Sequence, residues 1–244
     1  MESKIGIGFS REAVEAAGQD WAKVEVSNRI LERLKKHRLP AIQRKGADRF
    51  PAVFNIKCFQ QGVLYRTVML ADGCADAWNA DNPLAAALCA RAIIETTAYF
   101  DNFETELSKL CEEGDLSAIE ELIAETALAT RLEDLTGGSK AVNAISLIEK
   151  LDRQLGKKKE EGILGLYEFL CEFCHPNCYG HTHFYQVDKD TWTVNLSDKP
   201  IPGKSLFNYI FGGFFLIEAI ELSFRNIEIS LLPKVLKLSE AAGG

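Results

Sequence analysis

The groups best suited to chemistry crowd into one stretch, Tyr167 to His183, YEFLCEFCHPNCYGHTH. Three of the four histidines and three of the seven cysteines lie there. Cys171-Glu-Phe-Cys174-His175 has the order of a c-type haem attachment site, where two thiols bond the vinyl groups and the next histidine is an axial ligand. That chemistry goes with export. The N-terminal MESKIGIGFSREAVEAAG has no apolar core followed by a small-residue cleavage site. Adding Cys178, His181 and His183 gives enough donors for a tetrahedral zinc site. Structural zinc sites usually pair two separated knuckles, however, and these donors are bunched. A thiol pair at a helix C-terminus also sits at the wrong end of the dipole for thioredoxin-type chemistry. The expectation is no metal and no cofactor, with a metal site on the cysteine–histidine cluster as one alternative.

Acid–base chemistry is the other use for this stretch. Glu168 and Glu172 are four apart, on one helical face. His175 follows Glu172 by three, close enough for a carboxylate to raise an imidazole pKa. Arg91 and Glu95 form an i,i+4 pair on the most apolar helical pattern in the chain. His175, Glu172 and Arg91 are thus catalytic candidates for a hydrolase or nuclease, with Arg91 steadying an anion. The competing reading is structural. Arg91, Glu95, Tyr167, Glu172, His175 and Asn177 would form one buried polar network tying the long helix to the His-Pro-Asn corner, and buried ion pairs often specify packing. The structural reading is preferred. Ser139 with Thr136-Gly137-Gly138 could cradle an anion at a helix start, but TGGSK lacks P-loop spacing and follows a helix.

The elements that must position these groups read as helices. Ser10 should cap a first helix. Trp21 onward gives an amphipathic helix ending before Pro40, its basic end Leu34–Arg38 a solvated face. Phe54–Trp78 reads as a helix with Tyr65, Val68 and Met69 on its apolar side, and Gly62 and Gly73 as weak points or places of close approach. Asn79–Pro83 breaks the pattern. Asp81 or Asn82 should cap the longest helix, Leu84 to about Cys111, whose small residues allow tight packing. Ser117 should cap a helix to Leu135, with Glu120 or Glu121 near the capping-box position, and Ser139 one to Leu155. The charged KKKEE, 157–161, connects to a helix at Gly162–Cys174, stopped at His175 by Pro176. A β-hairpin at about 183–196 comes next, with a three-residue loop. Lys204–Ile229 reads as one apolar helix, Pro233 interrupts the segment after it, and Ala241–Gly244 should fray. The fold class is therefore mainly α: a single-domain bundle, residues 1–244, of about seven or eight helices with one β-hairpin.

Composition bounds the rest. The chain has 244 residues, 47% hydrophobic and 26% charged, with 28 basic against 35 acidic residues and a net charge of −7. An acidic chain lacks general attraction to nucleic acid. Leu206–Phe224 is long and apolar enough to suggest a membrane span, but Glu218 and Glu221 would each cost about 2.5–3.5 kcal/mol there. A buried or subunit-interface helix is expected instead, in a cytoplasmic homo-oligomer with free thiols and an unidentified ligand or protein partner.

Two segments also carry a resemblance. NPLAAALCARAIIETTAYFD resembles the Ala-Arg-x-Ile/Leu-x-Glu-Thr helix of a set of uncharacterised bacterial helical proteins. YEFLCEFCHPNCYG resembles their Glu-x-x-His-Pro-Asn corner. The likeness spans about Asn82 to Gly180 and rests on Arg91, Glu95, Tyr167, Leu170, Glu172, His175, Pro176, Asn177 and Gly180. That set commonly has Ser and Val-like residues where this chain has Cys171 and Cys174, which further weakens haem and zinc. It is similar at the level of fold to the HEPN-like domains of toxin and phage-defence systems. HEPN ribonucleases place an Arg four to six residues before a His, and no Arg here precedes His175, His181 or His183 at that spacing. The resemblance therefore implies a helical fold without that nuclease motif. The combined expectation is a non-enzymatic binding or regulatory module.

Overall fold

The computed structural model describes residues 8–127, 142–156, 162–197 and 206–243. Ser10 caps α1 (Arg11–Ala16) through the Ala13 amide, and Asp20 caps α2 (Trp21–His37) through the Ala22 amide. A 3-10 turn at Gly46–Arg49 leads into α3 (Pro51–Asn79). Asn82 caps α4 (Pro83–Glu113), and Gly114 ends it in the left-handed region at φ 73°, where a glycine carries no Cβ penalty. α5 (Leu116–Ala127) is capped by Asp115, whose carboxylate accepts the Ala118 amide, and not by Ser117. Asn143 caps α6 (Ala144–Gln154). The expected cap Ser139, the Thr136–Gly138 turn, the far end of the Ser117 helix and the charged 157–161 segment lie outside the described residues.

Beyond them come α7 (Ile163–Cys174), the short α8 (Cys178–Thr182), strands β1 (Tyr185–Asp188) and β2 (Thr193–Leu196), α9 (Leu206–Phe215) and α10 (Ile217–Asn226). A π-turn at Ile227–Leu231 runs into α11 (Leu232–Gly243). The described chain is thus mainly helical, with one antiparallel hairpin. The hairpin pairs Tyr185 with Leu196 and Asp188 with Thr193. Four residues, 189–192, connect the strands rather than three. Asp188 Oδ1 accepts the amides of Asp190 and Thr191, and Trp192 takes φ 52°.

The core is built around α4, which packs against α3, α5, α6, α7, α9 and α10. Its Ala86, Ala87 and Ala90 are fully buried. A Cβ added to Gly213 of α9 would lie 2.9 Å from the Ala90 carbonyl oxygen and 3.1 Å from its Cβ. One added to Gly73 of α3 would lie 3.4 Å from Cys89 Sγ. Phe9, fully buried, sets its ring edge-on to Phe207 and Phe214 and so pins the chain start to α9.

Several expectations are corrected. α3 buries Ile56, Gln60, Leu64, Thr67, Val68 and Ala71, a stripe of helical period, which turns Tyr65 and Met69 toward solvent. The basic end of α2 is not a solvated face. Lys35 is 8% exposed at its side chain and holds Asp72 at 2.8 Å and Glu32 at 2.9 Å, and Gln61 donates to the His37 carbonyl. Lys204–Ile229 is not one regular helix, because it breaks at Leu216 and widens at the π-turn. Pro233 does not interrupt the chain. It falls in the first turn of α11, directly after the π-turn, and the helix runs on to Gly243. The run Leu206–Gly243 is long and apolar enough to cross a membrane by length and composition, yet half of its most apolar window is buried against the rest of the chain. Glu221 lies in that run, only 6% exposed, and takes two 2.7 Å bonds from the Arg33 guanidinium.

Gly213→Ala should cost about 1–3 kcal/mol by urea unfolding, because the new methyl meets α4 backbone that cannot give way. The Arg33 bond holds the Glu221 carboxyl below its ordinary value of 4.5. Its stabilisation is therefore present above about pH 4.5 and lost as pH falls through the lowered folded-state value. Glu221→Gln should be less stable than wild type by about 1–3 kcal/mol at neutral pH, with the gap closing in acid, measured by thermal melts across pH.

Candidate functional site

The His-Pro-Asn corner is held by backbone-directed bonds. Asp152, 5% exposed, reaches from the end of α6 to accept the Ile163 and Leu164 amides at 2.7 and 2.9 Å, starting α7. Pro176 then forces extended backbone at His175 (φ −79°, ψ 145°), which stops α7. Asn177 works on both sides of the turn. Its Oδ1 accepts the Gly180 amide at 2.9 Å, and its Nδ2 donates to Glu172 Oε2 at 2.6 Å. Gly180 is obligatory, since a Cβ there would lie 1.9 Å from the His175 carbonyl oxygen. His175 contributes its backbone amide, bonded to the Cys171 carbonyl at 2.9 Å, while the residue as a whole is exposed.

Arg91, Glu95 and Tyr167 form a separate group. The Tyr167 hydroxyl donates to Glu95 Oε1 at 2.9 Å, and Arg91 Nε lies 3.7 Å from the same oxygen. Burial, then the bond to Glu95, raises the Tyr167 phenol well above its ordinary range. Burial also pushes the neighbouring Cys174 thiol up to about 11, against the pull of Arg91. That leaves it mostly protonated at neutral pH, unlike a reactive thiolate.

The single buried network expected from sequence is therefore two groups. Among the described residues no hydrogen bond or ion pair joins His175 to Glu172 or Arg91. The reason is helical geometry: Tyr167 and Glu172 are five residues apart, about 140° around α7, so Tyr167 turns inward to Glu95 while Glu172 stays exposed. Nor are Arg91 and Glu95 sealed, with side chains 29% and 31% exposed. Cys171, Cys174, Cys178, His181 and His183 do not converge either. Among the described residues no group of three or more His, Cys, Asp or Glu side chains is placed to hold a metal ion. His183 instead packs against the Phe173 and Tyr179 rings.

Beside Glu95 opens a cleft of about 810 Å3 between α3, α4, α5 and α6. Its apolar wall comes from Phe59, Val63, Ala127, Val142 and Leu147. Its polar edge comes from Arg66, Glu95, Thr96 and Tyr99. Arg66 Nε donates to Thr96 Oγ1 at 3.1 Å, and that hydroxyl donates to the Ala92 carbonyl at 2.7 Å, which anchors the guanidinium at the cleft lining. The Tyr99 hydroxyl donates to the Thr126 carbonyl at 2.6 Å, tying α5 to the far wall. Cys58 lines the rim, its thiol raised by burial and then by Asp48.

Of the residues singled out in the sequence as site candidates, only Glu95 lines this cleft. Arg66 carries no local motif that marks it, and Thr96, although it closes the Ala-Arg-x-Ile-x-Glu-Thr pattern, and Tyr99 just after it do not read there as site residues. Phe59, Gly62, Val63 and Arg66 do recur at spacings of three and four, one face of α3, and that spacing is the signal available in the sequence. Gly62 is not a place of close helix approach. Nothing lies within 4 Å of a Cβ built on it, because it faces the open cleft. Compared with known proteins, the chain matches no family model, no curated protein and no solved structure.

Tyr167→Phe leaves the Glu95 carboxylate without its short donor and should cost about 1–2 kcal/mol in urea unfolding. Arg91→Ala removes only a longer, part-solvated pair and should cost less than about 1 kcal/mol.

Proposed function

We propose that this chain is a non-enzymatic binding module, and that the α3–α4–α5–α6 cleft receives an amphiphilic small molecule with an apolar body and an anionic head. One observation carries the reading: a large apolar pocket whose mouth holds an arginine oriented by a neighbouring hydroxyl, Arg66 on Thr96. Ligand pockets are mostly apolar with a few placed polar groups that fix orientation. Arg66 bonds Thr96 through Nε, and its two terminal nitrogens form the fork that takes a bidentate carboxylate, sulfonate or phosphate. Phe59 and Leu147 would take the apolar body.

Acid–base hydrolysis by His175 and Glu172 is less well supported. Glu172 is engaged by Asn177, and among the described residues no carboxylate is bonded to His175. The cytoplasmic setting and the HEPN-like, bacterial ancestry suggested by the Arg91–Glu95 helix and the His-Pro-Asn corner belong to the same proposal.

Two variants test it. Anilinonaphthalene sulfonate, an apolar body with a sulfonate, should bind with a saturable fluorescence increase. Arg66→Ala should weaken it at least about tenfold, as expected for a lost charged hydrogen bond. Gly62→Leu should abolish binding by filling the cleft while raising stability by about 0.5–1 kcal/mol through helix propensity. Equal binding by wild type and both variants would contradict the proposal.

A further inference from the structure

An exposed apolar stripe runs along the C-terminal helices. Phe215 is 43% exposed, Leu222 63% and Ile229 72%. They follow one another every seven residues, Phe215 at the end of α9, Leu222 on α10 and Ile229 in the π-turn. Beside the stripe a groove of about 470 Å3 opens between α2 and α9, lined by Lys23, Val26, Asn208, Phe211, Gly212 and Phe215. Val26 is itself 51% exposed.

The flanking charges say what covers it. Glu218 lies four residues before Leu222 and Arg225 three after, about 40° and 60° to the same side of the stripe at 100° per residue. Arg33 already holds Glu221 with two 2.7 Å bonds, so Arg225, at 3.6 Å, is only its second cation and keeps a side chain 50% exposed. Now place a second copy antiparallel, with the two-fold axis at Leu222. Residues on one side of the stripe then meet the same side of the other copy at mirrored heights. Glu218, about 6 Å from the axis, falls opposite Arg225, about 4.5 Å from it, and does so twice. The pattern is self-complementary, as an isologous contact requires.

We infer that the Phe215–Leu222–Ile229 stripe is a homodimer interface in which two copies of α10 pack antiparallel about Leu222, with reciprocal Glu218–Arg225 pairs at the rim. The stripe alone is smaller than the roughly 800 Å2 per partner of a standard interface. The α2–α9 groove, which Phe215 also lines, continues the exposed apolar surface. This inference is independent of the ligand cleft, which lies on the α3–α5–α6 side of α4.

Sedimentation equilibrium of the full chain tests it. Wild type should sediment as a dimer at micromolar concentration. Leu222→Glu sets two carboxylates against each other on the axis and should raise the dissociation constant at least about a hundredfold. Its far-ultraviolet circular dichroism should not change, since Leu222 is exposed. Glu218→Arg and Arg225→Glu should each weaken the dimer severalfold, and the double variant should recover most of the loss. A wild type that stays monomeric at high micromolar concentration overturns the proposal, as does a Leu222→Glu dimer of unchanged affinity. Flotation of a monomeric wild type with phosphatidylcholine vesicles, abolished in Leu222→Glu, would also overturn it and assign the stripe to a lipid surface.

Discussion

Everything else in the fold depends on how closely helices can approach α4. Its first turns present Ala86, Ala87 and Ala90, side chains too small to hold a neighbour away. Gly213 exploits this from α9, with no room for a larger residue to enter without displacement, and Gly73 of α3 comes close enough that an added Cβ would touch Cys89. Close contact there fixes where α9 lies, and with it the Phe207 and Phe214 rings that receive Phe9. Further along the α3–α4 pair the facing residues become large: Phe59, Tyr99, Phe100 and Phe103. The small residues bring the helices together and the aromatic ones keep them apart. The cleft opens on the aromatic side of this gradient.

The same helix divides the polar chemistry. Its Glu95 faces two ways, toward the Tyr167 hydroxyl and toward the cleft edge. Thr96, one residue on, positions Arg66. The Ala-Arg-x-Ile-x-Glu-Thr pattern thus has physical meanings beyond an ion pair: small residues for packing, Glu95 for a phenol, Thr96 for a guanidinium. The His-Pro-Asn corner has meanings of its own. Pro176 stops a helix, Asn177 caps the next and engages Glu172, and Gly180 makes room for the His175 carbonyl. None of these roles needs the histidine side chain.

Helix ends are legible in the sequence where they depend on local chemistry. Ser10, Asn82, Gly114 and Pro176 act as their types dictate, and the hairpin follows from its alternation. The features that escape sequence reading depend on distant partners. Lys35 reads as solvated because Asp72, on another helix, is invisible to local pattern. Tyr65 and Met69 read as buried because apolar character alone does not fix the rotation of a helix already rich in apolar residues. Pro233 reads as a break because the π-turn that precedes it leaves no local signature. The site is hidden for a related reason. Chemical density draws attention to the cysteines and histidines of 167–183, whereas the cleft joins Arg66 to Thr96 across thirty residues and is marked in the sequence only by the spacing of Phe59, Gly62, Val63 and Arg66 along α3.

We propose ligand chemistry for the cleft and an architectural role for the His-Pro-Asn corner. Amide chemical-shift mapping with anilinonaphthalene sulfonate tests that division most directly. Saturable shifts should cluster at Phe59, Gly62, Arg66, Thr96, Tyr99 and Leu147. Shifts clustered instead at Glu172, His175 and Asn177, with the cleft amides unmoved, would contradict it.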